Sequence, residues 1–491
     1  MKGQYLYNMP EPETPFRIAI LGDFSGRINR GICETADIAK RKPLHVDRDN
    51  LDEVMAGFNV EIKLPLLGKD SSPVSIRFSK LDDFHPDYLF ENLEAFQALR
   101  DMRKSLKNPS LFSSLVKEFQ TKIEKTSLEK IAAETKGEFL NQVLEETEEK
   151  PMPEARRGKS DWDEFLHKIV TPHLVPDIEP KQTEMIAAVD KAISELMRMI
   201  LHHPDFQELE AAWRGVYFLA SRLETGADLK LYLLDIAKAE LAADLGSTED
   251  LRSTQTYRLL VEQTVETPGA EPWAVLACDY IFDQTLEDIE MLGRMAKIVR
   301  QAGAPFIAAA HSHFLGCESI AETPDPDDWK IQAETEISQA WELLRNLSEA
   351  SYLGLALPRF LLRLPYSKET DPTEQFDFEE MSDGQNHDHY LWGNSSFVCL
   401  YLLAQAFSEY GWDFRPGIIQ DIEGLPLHIY KEQGESRVKP CAEVVLTERA
   451  AEAILEKGLM PILSFKNQDT VRLARFQSLA YPATSLAGRW R

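Results

Sequence analysis

The stretch PFRIAILGDFSGR, residues 15–27, decides how the chain is read, because an apolar run from Phe16 to Leu21 leads straight into Gly22-Asp23-Phe24-Ser25-Gly26. Nucleotide-binding folds cradle phosphate at such a join. A phosphate loop of the Walker kind places Lys and Ser/Thr after its second glycine, so that an ammonium reaches the phosphates and a hydroxyl reaches magnesium. Here Gly26 is followed by Arg27, Ile28 and Asn29. A dinucleotide fingerprint adds a third glycine and opens at once into a helix, whereas RINRGICETADIAKRKPLHVDRDN is polar and irregular. The stretch is therefore read as a strand ended by a glycine turn, with no phosphate bound.

Outward from that strand, VEIKLPLLG and VSIRF (74–78) carry strand composition, and LDDFHPDYLFENLEAFQALRDMRKSLK turns helical in period. These make a small α/β unit ending near residue 120. Helix formers follow to about 147, and ETEEKPMPEARRGKS then breaks the pattern as an exposed loop or linker. From Met185, the apolar residues Ile186, Val189, Ile193, Leu196, Met197 and Ile200 fall three or four apart, the period of a helix with one buried face. Near-continuous apolar runs come next, LKLYLLDI (229–236), WAVLACDYIF (273–282) and FIAAAH (306–311), alternating with helical stretches such as TLEDIEMLGRMAKIVRQAG. That alternation predicts an α/β sheet whose strands are buried on both faces. After Ser351 the sequence reads as short strands and turns, among them LHIYK, AEVVLT, PILSF and VRLARF.

The chain has 491 residues, 43% of them apolar, which is ample for several packed cores. A net charge of −27 opposes binding to nucleic acid or to an anionic membrane, because like-signed surfaces repel. The opening MKGQYLYNMPEPET lacks the apolar core of a signal peptide, and no run approaches the roughly 18 apolar residues that span a bilayer. A cytoplasmic protein is expected. Cys33, Cys278, Cys317, Cys399 and Cys441 are scattered, odd in number and free of CxxC pairs, which fits reduced core thiols.

Three histidine groupings are the candidates for metal ligation: His202 with His203, His311 with His313, and His387 with His389 in DGQNHDHYLW. The last, flanked by Asp383 and Asp388, is the strongest of them, and a metal-dependent enzyme with a site near His387 and His389 is the remote alternative. Zinc needs three or four ligands in fixed geometry, and a hydrogen-bonded loop histidine is the commoner situation. A nucleophile elbow is absent, since GNSS at 393–396 lacks the second glycine. FDFEEM (376–381) and TPDPDDW (323–329) read as solvated acidic loops. Neither catalytic residues, nor a cofactor, nor a metal is expected.

The sequence resembles two families joined end to end, the small (TssB) and large (TssC) subunits of the type VI secretion contractile sheath. FRIAILGDFSGR, VDRDNLDEVM (46–55) and IRFSKLDDFHPDYL (76–89) follow the small subunit in order. ILHHPDFQELEAAWRGVYFL (200–219), LGLALPRFLLRLPY (353–366), FDFEE (376–380), YLWGNSSF (390–397) and IEGLPLHIY (422–430) follow the large one. The resemblance implies a small-subunit domain over 1–122, a helical and linker region over 123–183, and a large-subunit domain over 184–491. It implies fused α/β domains with mixed sheets flanked by helices. It further implies assembly with sheath subunits or further copies of the chain, around an inner-tube protein and onto baseplate proteins, with an AAA+ unfoldase as a recycling partner at residues 127–146.

Donated strands link subunits in that family. Here the candidate donor is Gln4, Tyr5, Leu6 and Tyr7, within the fifteen residues that precede Phe16. The large-subunit pattern runs through GLMPILSFKNQDTVRLARFQSLAYP (458–482) and closes with ATSLAGRWR, where the family continues into a helical segment and its last linking strands. A cap, baseplate adaptor or regulator that docks on sheath without polymerising is the alternative expected on that ground.

Overall fold

A computed structural model describes residues 10–11, 13–66, 73–108, 182–330, 335–381 and 386–490. The N-terminal part supplies strands β1 (Phe16–Gly22) and β2 (Leu44–Val46) and the hairpin β3 (Val60–Leu64) with β4 (Val74–Phe78). Its helices are α1 (Leu51–Phe58), α2 (Pro86–Asn92) and α3 (Gln97–Lys107). After residue 181 come α4 (Gln182–Leu201), α5 (Pro204–Arg222), β5 (Leu229–Asp235), α6 (Lys238–Gly246), β6 (Val275–Phe282), α7 (Leu286–Ala302) and β7 (Phe306–Ala310). Then follow α8 (Glu336–Arg345), β8 (Leu353–Leu357), β9 (Phe360–Leu361), β10 (Trp392–Gly393), α9 (Ser396–Tyr410) and β11 (Asp421–Ile422). The hairpin β12 (His428–Glu432) with β13 (Glu435–Lys439), then α10 (Glu448–Glu456), β14 (Met460–Ser464) and β15 (Val471–Leu473), complete the series.

Nine strands form one mixed sheet in the order β11-β15-β14-β8-β7-β6-β1-β5-β2. β1, the first strand among the described residues, is thus interior to it. β1 pairs in parallel with β5 from Phe16 opposite Leu229 to Gly22 opposite Asp235, and with β6 from Ile18 opposite Val275 to Leu21 opposite Cys278. β2 runs antiparallel along the outer side of β5. The strands read from the first 122 residues therefore do not form a sheet of their own: β1 and β2 join the large sheet, and β3 pairs only with β4.

The apolar run in β1 follows from that position. Ile18 and Ile20 face one core, with Leu231 and Leu233 of β5, Val275 and Ala277 of β6, and the buried sides of α4, α5 and α9. Ala19 and Leu21 face the other, with Leu276, Cys278 and residues of α6, α7 and α10. A strand covered on both faces has no polar side to show, so its sequence is continuous rather than alternating. Phe16 begins the strand beneath three rings, 4.7 Å from Phe407, 5.3 Å from Trp412 and 5.9 Å from Phe414.

The helix expected from Met185 is α4, whose buried residues include Val189, Ile193, Leu196, Met197 and Ile200. α5 starts at Pro204, which needs no N–H partner in the first turn, and the His203 imidazole accepts from the Asp205 N–H at 3.3 Å. Gly215 on α5 faces the Phe397 ring of α9, where a Cβ would lie 2.4 Å from the ring.

Three readings of the sequence change. Residues 442–447, AEVVLT, form no strand; a single bridge joins Ala442 to Phe360, Val444 and Leu446 are buried, and the Thr447 hydroxyl accepts from the Ala450 N–H to start α10. α9 replaces expected strands and turns, because ten of its fifteen residues are buried and no polar face marks its period. Four cysteines are core thiols as expected, but Cys33 is exposed.

Candidate functional site

The loop after β1 locks the N-terminal part onto β5 and α6. Ser25 is buried, its N–H donating to Asp235 Oδ1 at 3.1 Å and its hydroxyl to Asp235 Oδ2 at 2.7 Å. Asp23 accepts from the backbone N–H groups of Arg27 and Ile28 at 2.6 and 2.9 Å, closing the turn from within. Phe24 is fully buried, 5.7 Å from Trp213, whose indole N–H donates to the Phe24 carbonyl at 2.9 Å. The Ser25 hydroxyl and the Ser25, Arg27 and Ile28 N–H groups are thus directed at carboxylates of the protein, and the negative charge of Asp23 and Asp235 would repel a phosphate. Burial and the neighbouring Asp23 push the Asp235 carboxyl up, partly offset by the bonds from Ser25.

Glu240, fully buried on α6, gathers the segment that follows. Arg41 donates to both of its oxygens at 2.8 Å, Arg27 reaches them at 3.0 to 3.2 Å, and the Glu34 N–H donates at 2.8 Å. Burial alone would raise its pKa. The bonds from Arg41, Glu34, Arg27 and Ala237 outweigh it and hold the value at about 2.

A second charged cluster joins motifs that are far apart in sequence. Arg363 donates to Glu210 at 2.7 and 3.2 Å and to Glu380 at 2.8 and 3.1 Å, while Arg214 donates to Glu210 at 2.6 Å and to the Tyr366 hydroxyl at 2.9 Å. Glu210, Tyr366 and Glu380 are all buried. Glu380 therefore does not belong to a solvated acidic loop, the reading its acidic neighbours suggested. Its burial is more than offset by Arg363, by His202 and by the Tyr366 N–H, which bring its pKa to about 2.

GNSS is a set of polar props beneath α9. Asn394 donates to the Tyr280 carbonyl at 3.0 Å, Ser395 to the Ala356 carbonyl at 2.7 Å and Ser396 to the Cys278 carbonyl at 2.9 Å. These buried hydroxyls satisfy carbonyls of β6 and β8. Sequence spacing gave no signal for them, since their acceptors lie up to 118 residues away.

The histidines divide differently from the sequence reading. His387 lies 3.2 Å from Glu443 Oε1 and 3.0 Å from Lys439 Nζ, and His389 stacks on His202 with centroids 3.9 Å apart, so the pair is separated into two settings. His203 caps α5. Among the described residues, the grouping with ligand-like spacing is Asp283, His311 and His313, whose donor atoms all lie within 4.8 Å of one another. Gln4, Tyr5, Leu6 and Tyr7 lie outside the described residues, as do residues 127–146 and almost all of the 123–183 region.

Buried pairs and polar props fasten the described residues of the N-terminal part to those that follow residue 181. No helix among the described residues is long and apolar enough to cross a membrane. Comparison with known proteins is consistent with that reading. Residues 183–480 match the VipB family model, described as the EvpB tail sheath N-terminal domain, and residues 7–137 match the VipA family of the type VI secretion system. The type VI secretion system sheath protein TssC1 of Pseudomonas aeruginosa is 34% identical over 364 residues, covering 71% of this chain and 72% of the relative.

Proposed function

The chain belongs to the type VI secretion sheath family and carries small- and large-subunit regions on one polypeptide, and from that premise we propose that each copy acts as a fused sheath building block, contributing one small-subunit and one large-subunit region. The observation that supports this most is β1: a strand from the small-subunit region, flanked on both sides by strands of the large-subunit region. Two separate chains would have to meet to complete that sheet. A fusion supplies the missing strand at a high effective concentration and fixes the ratio at one to one.

On this reading residues 1–122 and 184–491 are the two sheath domains, joined through 123–183. The block works in the cytoplasm by protein-protein assembly and has no catalytic residue of its own. Its partners are further copies or separate sheath subunits, with an inner-tube protein within, baseplate proteins at one end and an AAA+ unfoldase acting on the spent sheath through residues 127–146. Gln4 to Tyr7 is the segment given to a neighbouring sheet.

Negative-stain electron microscopy of the purified protein tests the reading, alone and mixed with the inner-tube protein of the same organism. Hollow tubes built by this chain support it. Discrete particles under both conditions, or density only at the ends of tubes made by other subunits, would replace it with a cap or adaptor.

A further inference from the structure

We propose that Asp283, His311 and His313 form a binding site for a first-row divalent metal ion of the zinc type, with Glu318 orienting His313 from behind. The inference goes beyond the assembly reading and departs from the expectation of no metal. Asp283 directly follows β6 and His311 directly follows β7, and these strands are neighbours in the sheet. The ligands are therefore carried on the ends of rigid elements, where positions are held closely. The His311 N–H donates to the Phe282 carbonyl at 2.8 Å, which ties the two strand ends together.

The donor atoms have the spacing a small ion needs. Ligands about 2.0–2.1 Å from a tetrahedral zinc lie roughly 3.3 Å from one another. His313 Nδ1 is 2.8 Å from Asp283 Oδ1, and His311 Nδ1 is 3.9 Å from that same oxygen, so the separations bracket this value. The two imidazoles lie with centroids 4.1 Å apart. His311 Nδ1 accepts the His313 N–H at 3.3 Å, a long bond that ligation at this nitrogen would replace.

Supporting contacts complete the arrangement. The Gln284 N–H donates to Asp283 Oδ1 at 2.6 Å and fixes the carboxylate. His313 Nε2 lies 2.9 Å from Glu318 Oε2, the carboxylate–histidine relation that orients ligating imidazoles and raises their basicity. Ligation at His313 Nδ1 exchanges its proton for the metal and leaves the Nε2–H bond to Glu318 in place. Arg359 is a cation whose charge reaches His311. Its guanidinium is already engaged by Glu443 at 2.6 and 3.0 Å. The three ligands are each about one-third exposed, between 34% and 38%, so an ion can reach them from solvent.

The test is isothermal titration calorimetry of the tag-free, chelator-stripped full chain with zinc chloride. One equivalent bound at micromolar or tighter affinity is expected, with His387→Ala titrating as the parent does. Asp283→Asn and His311→Ala should each lose binding by tenfold or more, and Glu318→Gln, which removes an 89% exposed partner of His313, should weaken it by less. X-ray absorption on the zinc-loaded parent protein provides a readout that needs no variant. A shell holding two imidazoles with oxygen ligands supports the site. Absence of binding, binding unchanged by Asp283→Asn, or a shell without imidazole would overturn it and leave the cluster as a histidine–carboxylate ion pair.

Discussion

Ser25 and Asp235 are 210 residues apart in sequence and share two hydrogen bonds, the serine N–H and hydroxyl reaching one oxygen each of the carboxylate at 3.1 and 2.7 Å. They join the end of β1 to the end of β5, the point where the two regions of the chain meet. Ser25→Ala removes the hydroxyl from a half-buried carboxylate that keeps its backbone donor. A loss of about 1 kcal/mol is expected, the usual net worth of one hydrogen bond. Urea unfolding of the parent and the variant measures it.

Gly26 should be far less replaceable than Gly31, although both have positive φ, +75° and +72°. A Cβ at Gly26 would lie 2.4 Å from the Glu61 carbonyl oxygen, whereas at Gly31 nothing lies within 4 Å. Gly31→Ala should cost only the left-handed backbone penalty, about 1–2 kcal/mol. Gly26→Ala adds a backbone clash and should cost measurably more in the same denaturation series.

Charge burial sets a second contrast. Arg363→Met leaves Glu380 without its arginine in a site that is 1% exposed, and a loss of about 3–5 kcal/mol is expected. Arg472→Met breaks the Arg472–Asp421 pair, whose side chains are nearly half exposed at 47% and 43%, and should cost about 1 kcal/mol or less. Equal losses in chemical denaturation would contradict the account of the buried cluster.

Glu240 makes stability depend on acid in a defined direction. Its folded pKa of about 2 lies below the ordinary 4.5, so its contribution is complete above about pH 4.5 and fades as the pH falls towards 2. The depression corresponds to roughly 3 kcal/mol at neutral pH. The stability gap between the parent and Glu240→Gln should therefore hold steady from pH 7 to 5 and shrink steadily below that. Unfolding free energies measured across this range check the sign.

Strand positions could be read from the sequence, but strand partners could not. FRIAIL, LKLYLLDI and FIAAAH lie where strands occur because their near-continuous apolar runs report burial within a sheet, and VSIRF is a strand of the separate β3–β4 hairpin with one buried face. Nothing in FRIAIL names Leu229 or Val275 as its neighbours, since pairing across more than 200 residues leaves no local period. The same limit applies to the polar residues. Glu380 looked solvated beside Asp377 and Glu379, and only the approach of Arg363 and His202 from other elements shows that it is buried and paired. Asp283 joins His311 and His313 because β6 and β7 end side by side, a fact of topology rather than of motif.

The central claim is that β1 belongs to the interior of a sheet made largely by the large-subunit region. Native-state hydrogen exchange on the intact chain tests it most directly, by comparing the amides of Ile18 to Leu21 with those of Leu231 to Leu234 and Val275 to Cys278. The account requires all three sets to exchange together, through the same global opening. Exchange of the Ile18 to Leu21 amides well before the other two, as for a strand that is docked on the rim and released alone, would contradict it.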